Sequence, residues 1–131
     1  MFIDASALCA VLLGEADGDA YDAKVGAATE PLTSPVAIFE TVLAVARAVD
    51  GDMVRARRDV EEYLTVSNVG LVPIGAAELA RALDAFDRYG KGRHPARLNM
   101  GDCFAYACAK TQGAPLLFKG DDFSQTDVAV A

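Results

Sequence analysis

The chain opens on MFID and runs straight into SALCAVLL, so a stretch just long enough for a short strand leads directly into an apolar helix. That unit recurs. LTS at 32–34 enters Pro35 and an apolar helix over 36–49, residues 71–74 precede a helix over 76–89, and a helix over 100–112 leads into PLLF at 115–118. Further helices are expected over 6–13, 17–28 and 52–65, and residues 128–130 are a candidate last strand. Short apolar strands alternating with helices predict an α/β domain with a mainly parallel sheet. Such sheets place their sites at the carboxyl ends of the strands. The useful question is which polar residues follow those ends.

Local signals agree with the element pattern. Ser34-Pro35 is an N-cap followed by a proline suited to the first helical position. Asn99-Met100-Gly101-Asp102 has the spacing of a capping box. Leu79, Leu83 and Phe86 recur at the spacing of an apolar helix face.

With 131 residues, 53% of them hydrophobic, the chain has the size and core material of one domain, 1–131. No apolar run reaches the about 18 residues of a membrane span, and MFID lacks the basic start of a secretory signal. A cytoplasmic protein with no membrane partner is expected. The three cysteines, Cys9, Cys103 and Cys108, form no metal or redox spacing and read as small core residues.

The net charge of −7 argues against general affinity for nucleic acid, but the distribution is uneven. Residues 88–97, RYGKGRHPAR, hold four cations, one histidine and no acid, and run directly into LNMGD. RARR at 55–58 reads as an exposed helix face with intrahelical partners Glu61 and Glu62.

Asp4 follows the first strand and would serve as a helix N-cap. Glu40 lies in the helix VAIFETVLAVARAV, which is apolar nearly all round and so reads as largely buried. A buried carboxylate is costly unless paired or bound to metal. Arg47 shares its face but stands two turns away, about 10 Å along the axis. The other reading places Glu40 on a narrow exposed stripe with Thr41. Asp102 fits the capping box, and Gly101 before it allows close approach of backbone or ligand. Asp121 and Asp122 follow PLLFKG, where turn chemistry alone would explain them, and Asp127 lies further along. Each acid has a local explanation. Together, in a parallel sheet, they would converge on one edge, repel, and raise one another's pKa. Oxygen ligands without cysteine or histidine favour Mg2+ or Mn2+, ions suited to phosphoryl displacement.

The opening MFIDASAL, with Asp4 and Ser6, resembles the first motif of PIN-domain endoribonucleases, more narrowly the VapC-type toxins of toxin–antitoxin modules. The likeness continues through Glu40 in SPVAIFETVL, and is most specific in YGKGRHPARLNMGDCFAYACAK (89–110) and PLLFKGDDFSQTDV (115–128). It covers essentially the whole chain. The resemblance implies a three-layer α/β/α sandwich around a mainly parallel sheet of four to five strands, and a Mg2+- or Mn2+-dependent endoribonuclease site. Asp4, Glu40 and Asp102 match the family's three most dependable acids. Either residue of GDDF could supply the fourth, and Asp122, beside Phe123, is favoured over Asp121. Ser6 matches a polar position that supports the first acid, and Asp127 a further acid of less defined role.

The expected chemistry is hydrolysis of RNA by a metal-activated water, with Asp4 and Asp102 holding the ion and Glu40 and Asp122 completing the pocket. Lys91, Arg93 and Arg97 of the basic loop are candidates to meet RNA phosphates, and His94 is expected to have a surface role. The resemblance also implies an antitoxin partner that covers the site, and a homodimer. Two rivals remain. One is a non-catalytic PIN-like binding module. The other is a different Mg2+-dependent phosphate-handling enzyme. A dehalogenase-type phosphatase would want D-x-D where Ser6 stands, and a receiver domain would want an acid in LVPIGA at 71–76, which has none.

Overall fold

Four strands of two residues each carry the sheet of the computed structural model, which describes residues 1–131. They are β1 (Phe2–Ile3), β2 (Leu32–Thr33), β3 (Gly70–Leu71) and β4 (Leu116–Leu117), all parallel, in the order β3-β2-β1-β4. Six helices surround them: α1 (Ala5–Leu12), α2 (Gly18–Ala27), α3 (Pro35–Ala48), α4 (Met53–Val66), α5 (Ala76–Tyr89) and α6 (Met100–Thr111). Phe2 lies opposite Leu32 and Leu116, and Ile3 opposite Leu117.

The two-residue period of a strand sorts these side chains between two cores. Phe2 and Leu116 point into a cluster built with Ala82, Ala85 and Tyr89 of α5 and with Cys103, Ala105 and Tyr106 of α6. Ile3 and Leu117 point the other way, onto Ala7 and Leu8 of α1 and Val25 of α2, with Tyr63 and Leu64 of α4 at the margin. A third cluster joins Val42, Val45 and Ala46 of α3 to Ala56 and Val60 of α4. The expected α/β/α sandwich is what forms. Burying each large aliphatic side chain stabilises it by about 1.5–3 kcal/mol, which is how strands this short are held in register.

Helix starts follow the side chains that cap them. Asp4 accepts the Ser6 N–H at 2.9 Å, Ser34 the Ala37 N–H at 3.3 Å with Pro35 at the first position, and Asp52 the Arg55 N–H at 2.9 Å. Asn99 and Asp102 form the capping box reciprocally, at 3.0 and 2.8 Å.

Several expectations need correction. The third strand is Gly70–Leu71 rather than 71–74. Residues 128–130 form no strand, only a single bridge from Val130 to Leu116, so the sheet has four strands. Leu79, Leu83 and Phe86 lie at the surface, Leu83 at 63% exposure. α5 instead lays Ala82, Ala85 and Tyr89 inward, because small side chains let it approach α6 closely. α3 is not buried all round, since Phe39 is 64% exposed. Cys103 and Cys108 are core residues, whereas Cys9 is only half-buried. The arginines of 55–58 do sit on an exposed helix face, but they pair with Asp59 and Glu61, not Glu62. No helix is long and apolar enough to cross a membrane.

Candidate functional site

Four elements at the carboxyl edge of the sheet each deliver one acid. Asp4 is the residue immediately after β1, and Glu40 sits in the second turn of α3, the helix that follows β2. Asp102 belongs to the first turn of α6, and Asp122 to the loop after β4. The local reasons differ. Asp4 and Asp102 are fixed by capping, Glu40 by the rotation of α3, and Asp122 by a loop tied back to α1.

Asp4 is 5% exposed. Its Oδ2 accepts the Ser6 hydroxyl at 2.5 Å. The same hydroxyl accepts the Lys119 N–H at 3.0 Å, so one serine links the end of β1 to the end of β4. Burial pushes the Asp4 carboxyl up, Ser6 opposes this, and the charge of Asp122 adds to the rise.

Glu40 forms no hydrogen bond and no ion pair. Its carboxyl is pushed up to about 7, by burial first and then by the charges of Asp4 and Asp102. Asp102 is pushed up to about 6. Burial dominates, the Asn99 N–H opposes it, and the charges of Asp4 and Asp122 add to it. Thr41 does not share a stripe with Glu40. It is fully buried, donating to the Ala37 carbonyl at 2.7 Å. Arg47 does not pair with Glu40 either, although both line a cleft of about 510 Å3 with Phe39, Leu43 and Met100.

Asp4 and Asp102 therefore lie within electrostatic reach of each other and of both Glu40 and Asp122. None of the four forms an ion pair with a lysine or arginine. No three of the chain's histidine, cysteine and acidic side chains close into a ready-made metal cage. They are neighbours through charge, not a finished coordination sphere. By donor chemistry the set fits a hard divalent cation. All its ligands are oxygens, and its mutual repulsion is uncompensated.

Other predicted residues lie elsewhere. Of the GDDF pair, Asp122 is the one whose charge reaches Asp4 and Asp102, while the Asp121 carbonyl accepts from the backbone and hydroxyl of Ser124. Asp127 accepts the Tyr106 hydroxyl at 2.6 Å and pairs with Lys110 at 3.3 Å and Arg88 at 3.7 Å, which holds its carboxyl low. It braces α6 against the C-terminal segment. In the basic loop Lys91 and Arg97 are exposed, while Arg93 is engaged with Asp87 at 2.8 Å. His94 is half-buried, edge-on to Tyr89 at 5.2 Å, with Nδ1 accepting the Ala96 N–H, so it shapes the loop.

Lys119 went unremarked in the sequence. Its ammonium pairs with Glu15 and with Asp17 at 2.7 Å, strapping the loop that carries Asp122 to the α1–α2 turn. A lysine directly after a strand, with two acids in GEADG after α1, was the signal available.

Comparison with known proteins places the chain in a family. The chain matches the PIN domain family over residues 1–129. It is 43% identical over 129 residues to ribonuclease VapC30 of Mycobacterium tuberculosis, covering 98% of this chain and 96% of the relative. It is 40% identical to a ribonuclease VapC of Mycolicibacterium smegmatis, covering 98% of each. Among solved structures, the fold resembles Mycobacterium tuberculosis VapC20, a sarcin-ricin loop cleaving toxin, with a TM-score of 0.78 at 17% identity over 99% of this chain and 97% of that one. It also resembles a chain of a toxin–antitoxin complex from Klebsiella pneumoniae, with a TM-score of 0.72 at 14% identity over 99% and 95%. On the family match and the full-length identity together, the chain belongs to the VapC family of PIN-domain proteins.

Proposed function

We propose that this protein is a Mg2+- or Mn2+-dependent endoribonuclease that acts as the toxin of a toxin–antitoxin module. The observation that carries the reading is Glu40, a carboxyl held near 7 by burial and by Asp4 and Asp102, with no partner of its own. A fold keeps such a group beside other carboxylates when a cation relieves it. The relatives named as ribonucleases support the same activity.

Asp4 and Asp102 would hold the ion, and Glu40 and Asp122 would complete the acidic pocket. Asp4 is oriented by Ser6, and Asp102 is anchored through Oδ2, which leaves Oδ1 uncommitted. When bound, the divalent ion supplies a lower pKa for water and positive charge at the attacked phosphate. Lys91 and Arg97, exposed and free of ion pairs, meet flanking phosphates and offset the repulsion between RNA and the acids. Arg93 is less suited to that task, because Asp87 already takes its charge.

Two partners fit the surface. An antitoxin that carries an arginine or lysine into the acid group would replace the charge of the ion and block RNA. Phe39, Val54, Leu71, Leu83 and Met100 stand exposed on α3, α4, β3, α5 and α6 and offer apolar contacts to the antitoxin and to a second copy of the chain.

The test is purified protein with total RNA, with and without Mg2+ or Mn2+, beside Asp102→Asn. Metal-dependent cleavage that leaves 5′-phosphate ends and is lost in the variant supports the reading. No cleavage with metal, or equal cleavage by the variant, overturns it.

A further inference from the structure

Gly101 is the second residue of α6, buried, and not among the residues of positive φ, so its backbone asks for no glycine. Inside a helix glycine is a poor choice beside alanine, because it has more conformational freedom to lose. Something other than local structure must account for it.

The account is Glu40. A Cβ built on Gly101 would lie 2.5 Å from Oε2 and 2.6 Å from Cδ of Glu40, and closer still to Oε1. All three of its nearest neighbours belong to that one carboxyl. No backbone atom and no core side chain is among them. A methyl group there would therefore meet first, and drive away, the end of one flexible side chain.

From this we infer that Gly101 is a positioning residue for Glu40: the missing side chain is the space through which the Glu40 carboxylate enters the acid group. The inference rests on the nuclease reading for its consequence and on geometry alone for its cause. Four side chains from four elements must meet, and three are placed by their own backbone or loop. Glu40 comes from α3 and reaches the group across the first turn of α6. α3 and α6 pack directly on each other, so a side chain at 101 would close that route.

The test uses the full chain as wild type, Gly101→Ala, Glu40→Gln and the double variant. Three readouts are taken: thermal stability without metal, Mn2+ affinity by calorimetry, and RNA cleavage. A fourth is the carboxyl carbon resonance of Glu40, recorded without metal. Gly101→Ala should melt at or above the wild-type temperature, because alanine favours the helix. It should bind Mn2+ at least tenfold more weakly, lose cleavage to the extent that Glu40→Gln does, and shift the Glu40 resonance. The double variant should be no worse than the weaker single one, since both remove the same contribution. Wild-type Mn2+ affinity in Gly101→Ala, an unmoved Glu40 resonance, a lower melting temperature, or fully additive losses would each overturn the assignment. If wild type neither binds Mn2+ nor cleaves RNA, the nuclease reading fails, and the resonance and melting data still judge Gly101.

Discussion

The hydroxyl of Ser6 donates to Oδ2 of Asp4 at 2.5 Å, and through that hydrogen bond the first acid of the site is held in one orientation. Because the same oxygen accepts the Lys119 N–H, Ser6 also ties down the loop that leads to Asp122. Ser6→Ala should therefore weaken Mn2+ binding and RNA cleavage by about 10–100-fold, the usual cost of losing a group that orients a ligand. Ser6→Thr keeps the hydroxyl and should retain most activity. Cleavage by Ser6→Ala at the wild-type rate would show that Asp4 needs no such support.

Asp102 caps α6, and under the proposed function it also holds the ion; two substitutions divide those roles. Asparagine at 102 still presents an oxygen to the Asn99 N–H, so Asp102→Asn should keep the helix start and lose about 10²–10³ in cleavage, the scale of removing one group that stabilises charge in a transition state. Asp102→Ala removes the capping box as well and should cost about 1 kcal/mol of stability in addition. Equal unfolding midpoints in urea for the two variants would mean that the capping role has no energetic weight.

The repulsion within the acid group sets a pH dependence. Glu40 has an ordinary value of 4.5 and a folded value of about 7, and Asp102 moves from 3.8 to about 6. Between those limits the folded chain holds protons that the unfolded chain has released. Their contribution to stability is therefore full below the ordinary values and is lost as pH rises through the folded ones. Asp17, Glu78 and Asp127, held low, act in the opposite sense and only at more acid pH. In EDTA the melting temperature should fall between about pH 5 and pH 7. Mn2+ should restore it, and Glu40→Gln should flatten the upper part of the fall. Melting curves across that range decide the matter; a rise with pH would contradict the arrangement of the acids.

RNA affinity should depend on the two free cations of the basic loop. Replacing Lys91 and Arg97 together with alanine should weaken binding of single-stranded RNA. The same change should reduce the salt dependence of binding by about 0.7 in the log–log slope for each phosphate that is no longer neutralised. Arg93→Ala should change binding less, because its charge is already shared with Asp87. Filter binding to RNA over a salt series, with an inactive Asp102→Asn background, reads both effects. An unchanged slope in the double variant would mean that other residues neutralise the phosphates.

Much of this was legible before the structure, where the determinants were local. The caps Asp4, Ser34 and Asn99 each act within three residues, so the sequence shows them. The alternation of short strands and helices announced the parallel sheet for the same reason. Distances between elements were another matter. Leu79, Leu83 and Phe86 have the period of an apolar face, but period does not say which face turns inward, and α6 took the alanine face. Val130 has the composition of a strand residue, yet it makes one bridge, because a strand needs a partner over its length.

The site divides along the same line. The sequence alone determined which residues carry acid, that several follow strands, and that the family motifs run through them. The family resemblance already favoured Asp122 over Asp121; tertiary structure added that the charge of Asp122 reaches Asp4 and Asp102, that Glu40 stands without a partner, and that its carboxyl occupies the place of a side chain Gly101 does not have. The reason is physical. Capping and periodicity are set by bonds and torsions a few residues long, whereas burial and the repulsion between carboxylates depend on how four separate elements come to lie against one another.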